Sequence, residues 1–434
     1  MNQVIKIRSK EIISVSLFLC FFLQFQTPAS AGEVNDYDSI IVHPKERVLR
    51  SRRIDHLMYR SGISKFQKIK DQIYVVPVSK SDDRKLKIAE LKQSGLFRLV
   101  EADYKLSLDW IPQKRNYIEI NNLSNNKETF LSSEVTPNDQ DFDTQYYLRE
   151  INATKAWNTT VGDSLLVGIL DTGIDVNHPD LAHKVLSGSD LSNEDLTDEI
   201  GHGTAIAGII AANTNNKEGI AGIAWNTKVV SLKVTREDGR ARVSTVVSAL
   251  ENAYTKGIKI VQISLGTNEF SQTLKDAIKE AQARGILIIS TGGNSGTQEL
   301  RYPAAFDGVI GVGAVDQTKN IESYSTTGEH IALVAPGSDI YTTSILSSYE
   351  AVTGTSFSAP QVAGTAALVW SLVPDLSNDE VREILIESAE DLGEAGKDTV
   401  FGYGLLNTQK AVEIAKAKQN ETNVIENKWI VDGL

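Results

Sequence analysis

The 434-residue chain has a single cysteine, Cys20, inside its first apolar run. Once that run is removed, the body has no thiol and no disulfide, so a covalently stapled scaffold is excluded. Histidine is scarce as well: His43, His56, His178, His183, His202 and His330 supply every imidazole. No second apolar run reaches bilayer-spanning length. There is no internal repeat, low-complexity tract or wall-anchor pattern. No Gly-x-Gly-x-x-Gly follows the first strand of the body, which argues against a nucleotide site.

The chain opens with an address. Lys6, Arg8 and Lys10 precede the apolar run IISVSLFLCFFLQF (12–25), and Ala29-Ser30-Ala31 supplies the small-x-small pattern of a signal-peptidase site. This predicts a signal peptide over 1–31 and a mature start near Gly32, with an uncleaved anchor as the alternative. Leu19 stands before Cys20 where a lipoprotein site needs a small residue. We expect a secreted, extracellular monomer without a membrane anchor.

The net charge of −12 is unevenly spread. Residues 32–137 carry a small excess of Lys and Arg, whereas residues 138–434 are strongly acidic. An acidic body disfavours nucleic acid and favours cationic partners, the chain's own N-terminal segment among them; solubility alone is the plainer reading.

Residues 33–70 show no clear periodicity and receive no assignment. From Gln72, QIYVVPV reads as a strand, DRKLKIAELKQSG as a helix ended by Gly95, and LFRLVEADYKLSL as one or two strands. This predicts a small α+β unit over about 72–108. The Asn/Ser-rich segment 109–137 reads as an exposed, cleavable linker, with Lys114-Arg115 one possible cut. From Asn138 onward, apolar runs such as LLVGIL (165–170), IKIVQISLG (258–266) and GILIIS (285–290) alternate with helical stretches such as 243–257 and 271–285. That alternation predicts an α/β fold: a parallel sheet flanked by helices on both faces, with its site beyond the carboxyl ends of the strands.

Three polar residues stand at such junctions. Asp171 ends LLVGILD, His202 lies between two glycines at the head of an apolar helix, and Ser356 heads TGTSFSAPQVAG. Acid, imidazole and hydroxyl are the parts of a nucleophilic relay. Taken singly, Asp171 is also read as a cap or metal ligand, His202 as a packed histidine and Ser356 as a helix cap. Asn294, after GILIIST, presents an amide able to donate to an oxyanion.

ILDTGIDVNHPDL (169–181), GHGTAIAGIIA (201–211), GTSFSAPQVAG (354–364) and STGGNS (290–295) resemble the signature strings of the subtilisin-like serine proteases, in that family's order Asp, His, Ser. FGYGLLN (401–407) resembles the end of the family's catalytic domain. The resemblance implies a subtilisin-like catalytic domain over 138–412, a tail over 413–434, and a serine endopeptidase. In it Asp171 orients His202, His202 serves as base then acid, Ser356 attacks, and Asn294 with the Ser356 N–H binds the oxyanion. Phe357, Gln361 and Ala205 depart from the usual methionine and histidines without removing a catalytic atom.

The resemblance further implies that Ser264, Leu265 and Gly266 pair with the substrate backbone on one side, and Gly239 and Ala241 on the other. Arg301 then falls at the floor of the primary pocket, where it would discourage Lys or Arg. A structural Ca²⁺ is implied at Asp139, Asp180 and Asn216 with the carbonyls of Thr214, Glu218 and Ile220, an all-oxygen shell; a polar surface loop is the alternative. The 72–108 unit resembles a pro-domain, an intramolecular chaperone and inhibitor within the pro-region 32–137. The whole layout is similar to that of lantibiotic leader peptidases, which act on a cationic modified peptide precursor. A general secreted subtilase, or an inactive one used as a binding module, are the competing expectations.

Overall fold

The computed structural model describes residues 39–46, 54–78, 83–108, 110, 134–163, 165–192 and 195–432. The expected signal peptide, Cys20, Lys114-Arg115 and most of the expected linker lie outside them. No described helix is long and apolar enough to cross a membrane.

Near the start of the described chain, four strands make an antiparallel sheet: β1 (Ser39–Pro44), β2 (Gln67–Lys70), β3 (Ile73–Pro77) and β4 (Phe97–Ala102), in the order β2-β3-β1-β4. Helices α1 (Ile54–Arg60) and α2 (Arg84–Gln93) cover one face. Strand alternation sends Ile40, Val42, Tyr74 and Val76 to that face, where they meet Leu57, Met58 and Leu91. Ile41 and Ile73 point the other way, into the core of the larger body. The unit is therefore larger than the expected 72–108. The elements missed in 33–70 are β1, α1 and β2; the short apolar run of β1 is covered on both faces and so shows no alternation. Strand β5 (Lys105–Leu108) leaves the small sheet altogether.

The body is built on seven strands paired in parallel: β6 (Leu166–Asp171), β7 (Val185–Asp190), β8 (Lys228–Lys233), β10 (Ile260–Ile263), β12 (Leu287–Thr291), β13 (Ile310–Val315) and β14 (Ile331–Pro336), in the order β14-β13-β12-β10-β6-β8-β7. The short β9 (Arg240–Arg242) and β11 (Leu265–Gly266) lie outside it and join β5 in a three-stranded sheet. Single-residue alternation splits the interior in two. Ile260, Leu287, Ile289 and Val312 face one core with α3 (His202–Ala211) and α6 (Thr355–Leu372). Val261, Ile263 and Ile288 face the other with α4 (Val243–Thr255) and α5 (Gln272–Ala283). Helices on both faces explain why these strands read as continuous apolar runs.

Helix α6 is buried on every side from Thr355 to Trp370, and its sequence is accordingly apolar or small all round. A hairpin, β15 (Ile340–Ser344) with β16 (Ser348–Val352), precedes it. Helix α7 (Asn378–Glu387) carries a Ser377/Glu380 capping box. Helix α8 (Thr408–Asp432) runs straight through residue 412, so the expected boundary between catalytic domain and tail falls inside one helix.

The small sheet docks on the body through helix N-termini. The Glu101 carboxylate accepts from Ser271 Oγ and the backbone N–H groups of Gln272 and Thr273 at the start of α5 (2.7–3.1 Å). The Asp103 carboxylate accepts from Ser244 N and Ser244 Oγ at the start of α4, and from Ser39 Oγ of β1 (2.7–2.9 Å). Each acid meets the unpaired donors and positive dipole end of a helix. Lys70 Nζ adds ion pairs to Glu251 on α4 and Glu280 on α5 at 3.0 and 2.7 Å.

Candidate active site

Asp171, Ser264 and Asn294 lie at or just past the carboxyl ends of β6, β10 and β12, which are neighbours in the sheet. His202 opens α3 and Ser356 is the second residue of α6. The sheet edge thus gathers residues separated by almost two hundred positions.

Asp171 and His202 are fully buried, with Asp171 Oδ1 2.7 Å from His202 Nδ1. The same oxygen accepts from Thr172 N at 2.8 Å. This contact fixes the tautomer: Nδ1 carries the proton and donates, leaving Nε2 with a lone pair. Nε2 has no hydrogen-bond partner among the described residues. The imidazole packs on Phe357, next to Ser356, at 5.3 Å between ring centroids, and on Trp110 at 5.9 Å. Gly203 permits the close helix–strand approach, because a Cβ there would sit 3.2 Å from Asp171 Cβ and against the Gly173 carbonyl.

Sequence reasoning missed Asp198. It is buried, and its carboxylate collects Thr172 Oγ1, Gly201 N, Thr204 N and Thr204 Oγ1 at 2.7–2.9 Å. One side chain thereby ties the end of β6 to the turn that delivers His202. The signal was an acid four residues before the histidine, which reads equally well as an exposed loop acid.

At the head of α6, Asn294 Oδ1 accepts from Thr355 N (3.0 Å) and Thr355 Oγ1 (2.8 Å). That pins the amide so that its Nδ2 is the free end, buried and without a partner among the described residues. Pro360 has no N–H to give the carbonyl four residues back, that of Ser356. Ser264 Oγ donates to that carbonyl instead, at 3.1 Å. Of the three departures from the family strings, Phe357 packs on His202, Gln361 Nε2 donates to the Pro336 and Phe357 carbonyls, and Ala205 is core.

The expected substrate-pairing residues line the two sides of one slot, and β5 lies in it. Leu265 and Gly266 pair antiparallel with Leu108 and Ser107. On the opposite edge, Ala241 pairs with Leu106, and Gly239 approaches Leu108, which would lie 3.2 Å from a Cβ at Gly239. Leu106 is fully buried against the body. Arg301 stands beside Gly266, with Nη1 donating to Asn268 Oδ1 at 3.2 Å and Nη2 to Ser107 Oγ at 3.3 Å.

The expected calcium ligands come together, but as a closed hydrogen-bonded cluster. Asp180 Oδ1 accepts from Asn216 Nδ2 (2.7 Å); Asp180 Oδ2 accepts from Ile220 N (2.8 Å) and Tyr349 Oη (3.0 Å). Asp139 accepts from the N–H groups of Asn215 and Asn216. Asn216 Oδ1 accepts from Glu218 N, and the Thr214 hydroxyl donates to the Ala212 carbonyl. Burial pushes the pKa of both Asp139 and Asp180 up, against their hydrogen bonds. The side-chain oxygens of Asp139, Asp180 and Asn216 face N–H and O–H donors, with Tyr349 inserted beside Gly219. The six expected ligands thus lie in one cluster, an all-oxygen donor set of the kind Ca²⁺ takes. Among the described residues no cluster of three or more His, Cys, Asp or Glu side chains is placed to hold a metal.

Residues 162–404 match the model of the subtilase family. The chain is 32% identical to a thermophilic serine proteinase of Bacillus sp. (strain AK1), over 89% of this chain and 92% of that one. It is 40% identical to subtilisin DY of Bacillus licheniformis, over 58% of this chain and 92% of the relative. With thermitase of Thermoactinomyces vulgaris it shares 37% identity over 64% of this chain and 99% of the other. A solved protease of Pseudoalteromonas arctica superposes with a TM-score of 0.60 at 29% identity, covering 64% of this chain and 99% of that one.

Proposed function

The chain belongs to the subtilase family, and from that premise we propose that it hydrolyses peptide bonds with Ser356, His202 and Asp171. It is a subtilisin-like serine protease, a hydrolase acting on peptide or protein substrates. The observation carrying the residue roles is the buried Asp171–His202 pair, with Nε2 open beside the helix N-terminus that presents Ser356. In this reading Ser356 Oγ attacks the scissile carbonyl while His202 Nε2 takes its proton. Asp171 stabilises the imidazolium that forms. The carbonyl oxygen becomes an oxyanion held by Asn294 Nδ2 and the Ser356 N–H at the positive end of α6. His202 then returns the proton to the leaving amine, and water repeats the sequence on the acyl-enzyme.

The deciding experiment pairs Ser356→Ala with labelling by a fluorophosphonate. Wild-type protein takes the label and cleaves casein; the variant does neither while keeping its circular dichroism. Undiminished turnover in the variant would sink the assignment, and a wild type that refuses the label even after its N-terminal segment has been cut away would favour an inactive binding module.

We further propose that the full chain is an inhibited zymogen. In support, β5 lies between both edges of the slot, and Trp110 packs on the His202 imidazole. The small sheet would act as pro-domain, templating α4 and α5 through Asp103 and Glu101 and blocking the slot until cut. Export through the 1–31 signal places the enzyme outside the cell. The layout of signal, pro-region and compact protease, with an acidic body, supports removal of the leader from a lantibiotic precursor. Cleavage of one narrow motif in a peptide library supports that substrate; broad apolar preference instead identifies a general secreted protease.

A further inference from the structure

Arg301, expected at the floor of the primary pocket, takes no part in the proteolytic steps. A Cβ built on Gly266 would lie 2.8 Å from Arg301 Cγ and 3.1 Å from its Cδ; one built on Gly293 would lie 3.1 Å from the same Cδ. The stem of Arg301 therefore runs between the strand that pairs with substrate and the loop that presents Asn294. Its guanidinium is held: Nη1 donates to Asn268 Oδ1, and Asn268 Nδ2 donates in turn to Glu299 at 3.0 Å. Nη2 reaches Ser107 Oγ on β5.

Strand geometry then says which substrate side chains meet this cation. In an extended chain alternate side chains share a face. On β5, Leu106 is buried in the body and Leu108 faces Gly239, while Ser107 faces Arg301. A substrate laid along the same path presents to Arg301 the residue at the Ser107 position and the one two places further along. Since Leu108 pairs with Leu265, that second residue falls opposite Ser264, whose hydroxyl is bonded to the Ser356 carbonyl. With Ser356 attacking beside Ser264, the proteolytic reading makes it the residue just before the scissile bond. In this chain's own sequence the residue two beyond Ser107 is an acid, Asp109.

Resting on the proteolytic reading above, we propose that Arg301 makes this enzyme select an acidic residue, Asp or Glu, immediately before the bond it cuts. The guanidinium offers paired N–H donors to a carboxylate and repels ammonium and guanidinium side chains. The chemistry concerns the residue left on the N-terminal fragment, so a cationic peptide can still be the product released after the cut.

The test uses the full chain, incubated until it cleaves, against quenched fluorescent peptides built on Leu-Ser-Leu-Xaa-Trp with Xaa Asp, Glu, Phe or Lys. The readout is the ratio of kcat/KM values within one preparation, which does not depend on how much enzyme is active. Charge-assisted hydrogen bonding predicts that Asp and Glu exceed Phe and Lys by about tenfold or more. Arg301→Gln should collapse that ratio, and Arg301→Glu should turn the preference to Lys. Wild-type enzyme cutting the Phe or Lys peptide as well as the Asp peptide overturns the proposal, as does an Arg301→Gln ratio equal to wild type. If no peptide is cut and no fluorophosphonate label is taken up, the proteolytic reading fails and this one with it. Labelled enzyme that cuts without regard to Xaa sinks the acidic selectivity alone.

Discussion

Acid should loosen the small sheet through His43. This histidine is buried in β1, where its Nε2 lies 2.9 Å from Thr273 Oγ1 in the first turn of α5. Arg98 Nη2 donates to its Nδ1 at 3.0 Å, so the ring is neutral with its proton on Nε2. Burial, and then the Arg98 charge, push the pKa down to about 4, with Asp276 pulling weakly the other way. Unfolded, His43 takes a proton near 6.5; folded, it resists down to about 4. Its contribution is thus fully present above pH 6.5 and drains away as pH falls toward 4. The gap corresponds to about 3 kcal/mol.

Other groups titrate in the same range, and a matched variant separates them. Burial lowers the pKa of His330 and acts in the same direction as His43. Burial raises the pKa of Asp103, which acts oppositely, since its folded form binds a proton more readily than its unfolded form. His43→Gln keeps a donor toward Thr273 and removes only the His43 titration. Urea unfolding of the full chain carrying Ser356→Ala, with and without His43→Gln, should be followed by tryptophan fluorescence between pH 4.5 and 8. The stability difference should be constant above pH 7 and shift in favour of the glutamine form by roughly 2–3 kcal/mol toward pH 4.5. A difference that stays flat across that range would refute the reasoning.

Three further outcomes follow from the same contacts. Glu101→Ala strands the donors of Ser271, Gln272 and Thr273; a loss of about 1–2 kcal/mol is expected in urea melts, and earlier activation of the full chain with it. Chelation by EDTA should lower the melting temperature, because the cluster around Asp139 and Asp180 is an all-oxygen donor set of the kind Ca²⁺ takes; an unchanged melting temperature would count against the cation. Tyr349→Phe, which leaves the buried Asp180 carboxylate short of a donor, should cost about 1–3 kcal/mol. The first self-made N-terminus of the full chain, read by mass spectrometry, should be Trp110; an initial cut at Lys114-Arg115 would contradict the strand register.

Much of the body was legible because each signal was local. Ile260 and Val261 read as one apolar run because neighbours cover both faces of β10. His202 and Ser356 stood out because a polar residue at a strand–helix junction has few structural reasons to be there. Asp198 was illegible because nothing in its own stretch sets it apart from an exposed loop acid; its bonds to Thr172 and Thr204 exist only in the folded turn. The bond from Tyr349 to Asp180 was illegible for a related reason: Tyr349 arrives from a distant hairpin. Strand β5 looked like the closing strand of its own unit, since pairing between non-consecutive strands leaves no mark on either.

By itself, the sequence determined the parallel sheet, the helices over it, and the acid, imidazole, hydroxyl and amide at its carboxyl edge. Apolar periodicity and junction residues are properties of a few consecutive positions, and they survive in one dimension. Only the tertiary structure decided that β5 lies between Leu265–Gly266 and Arg240–Arg242, that Glu101 and Asp103 close two helix ends, and that the guanidinium of Arg301 reaches Ser107 of β5. Those are contacts between surfaces that folding brings together, so their energies depend on distance and burial, which no single stretch of the chain records.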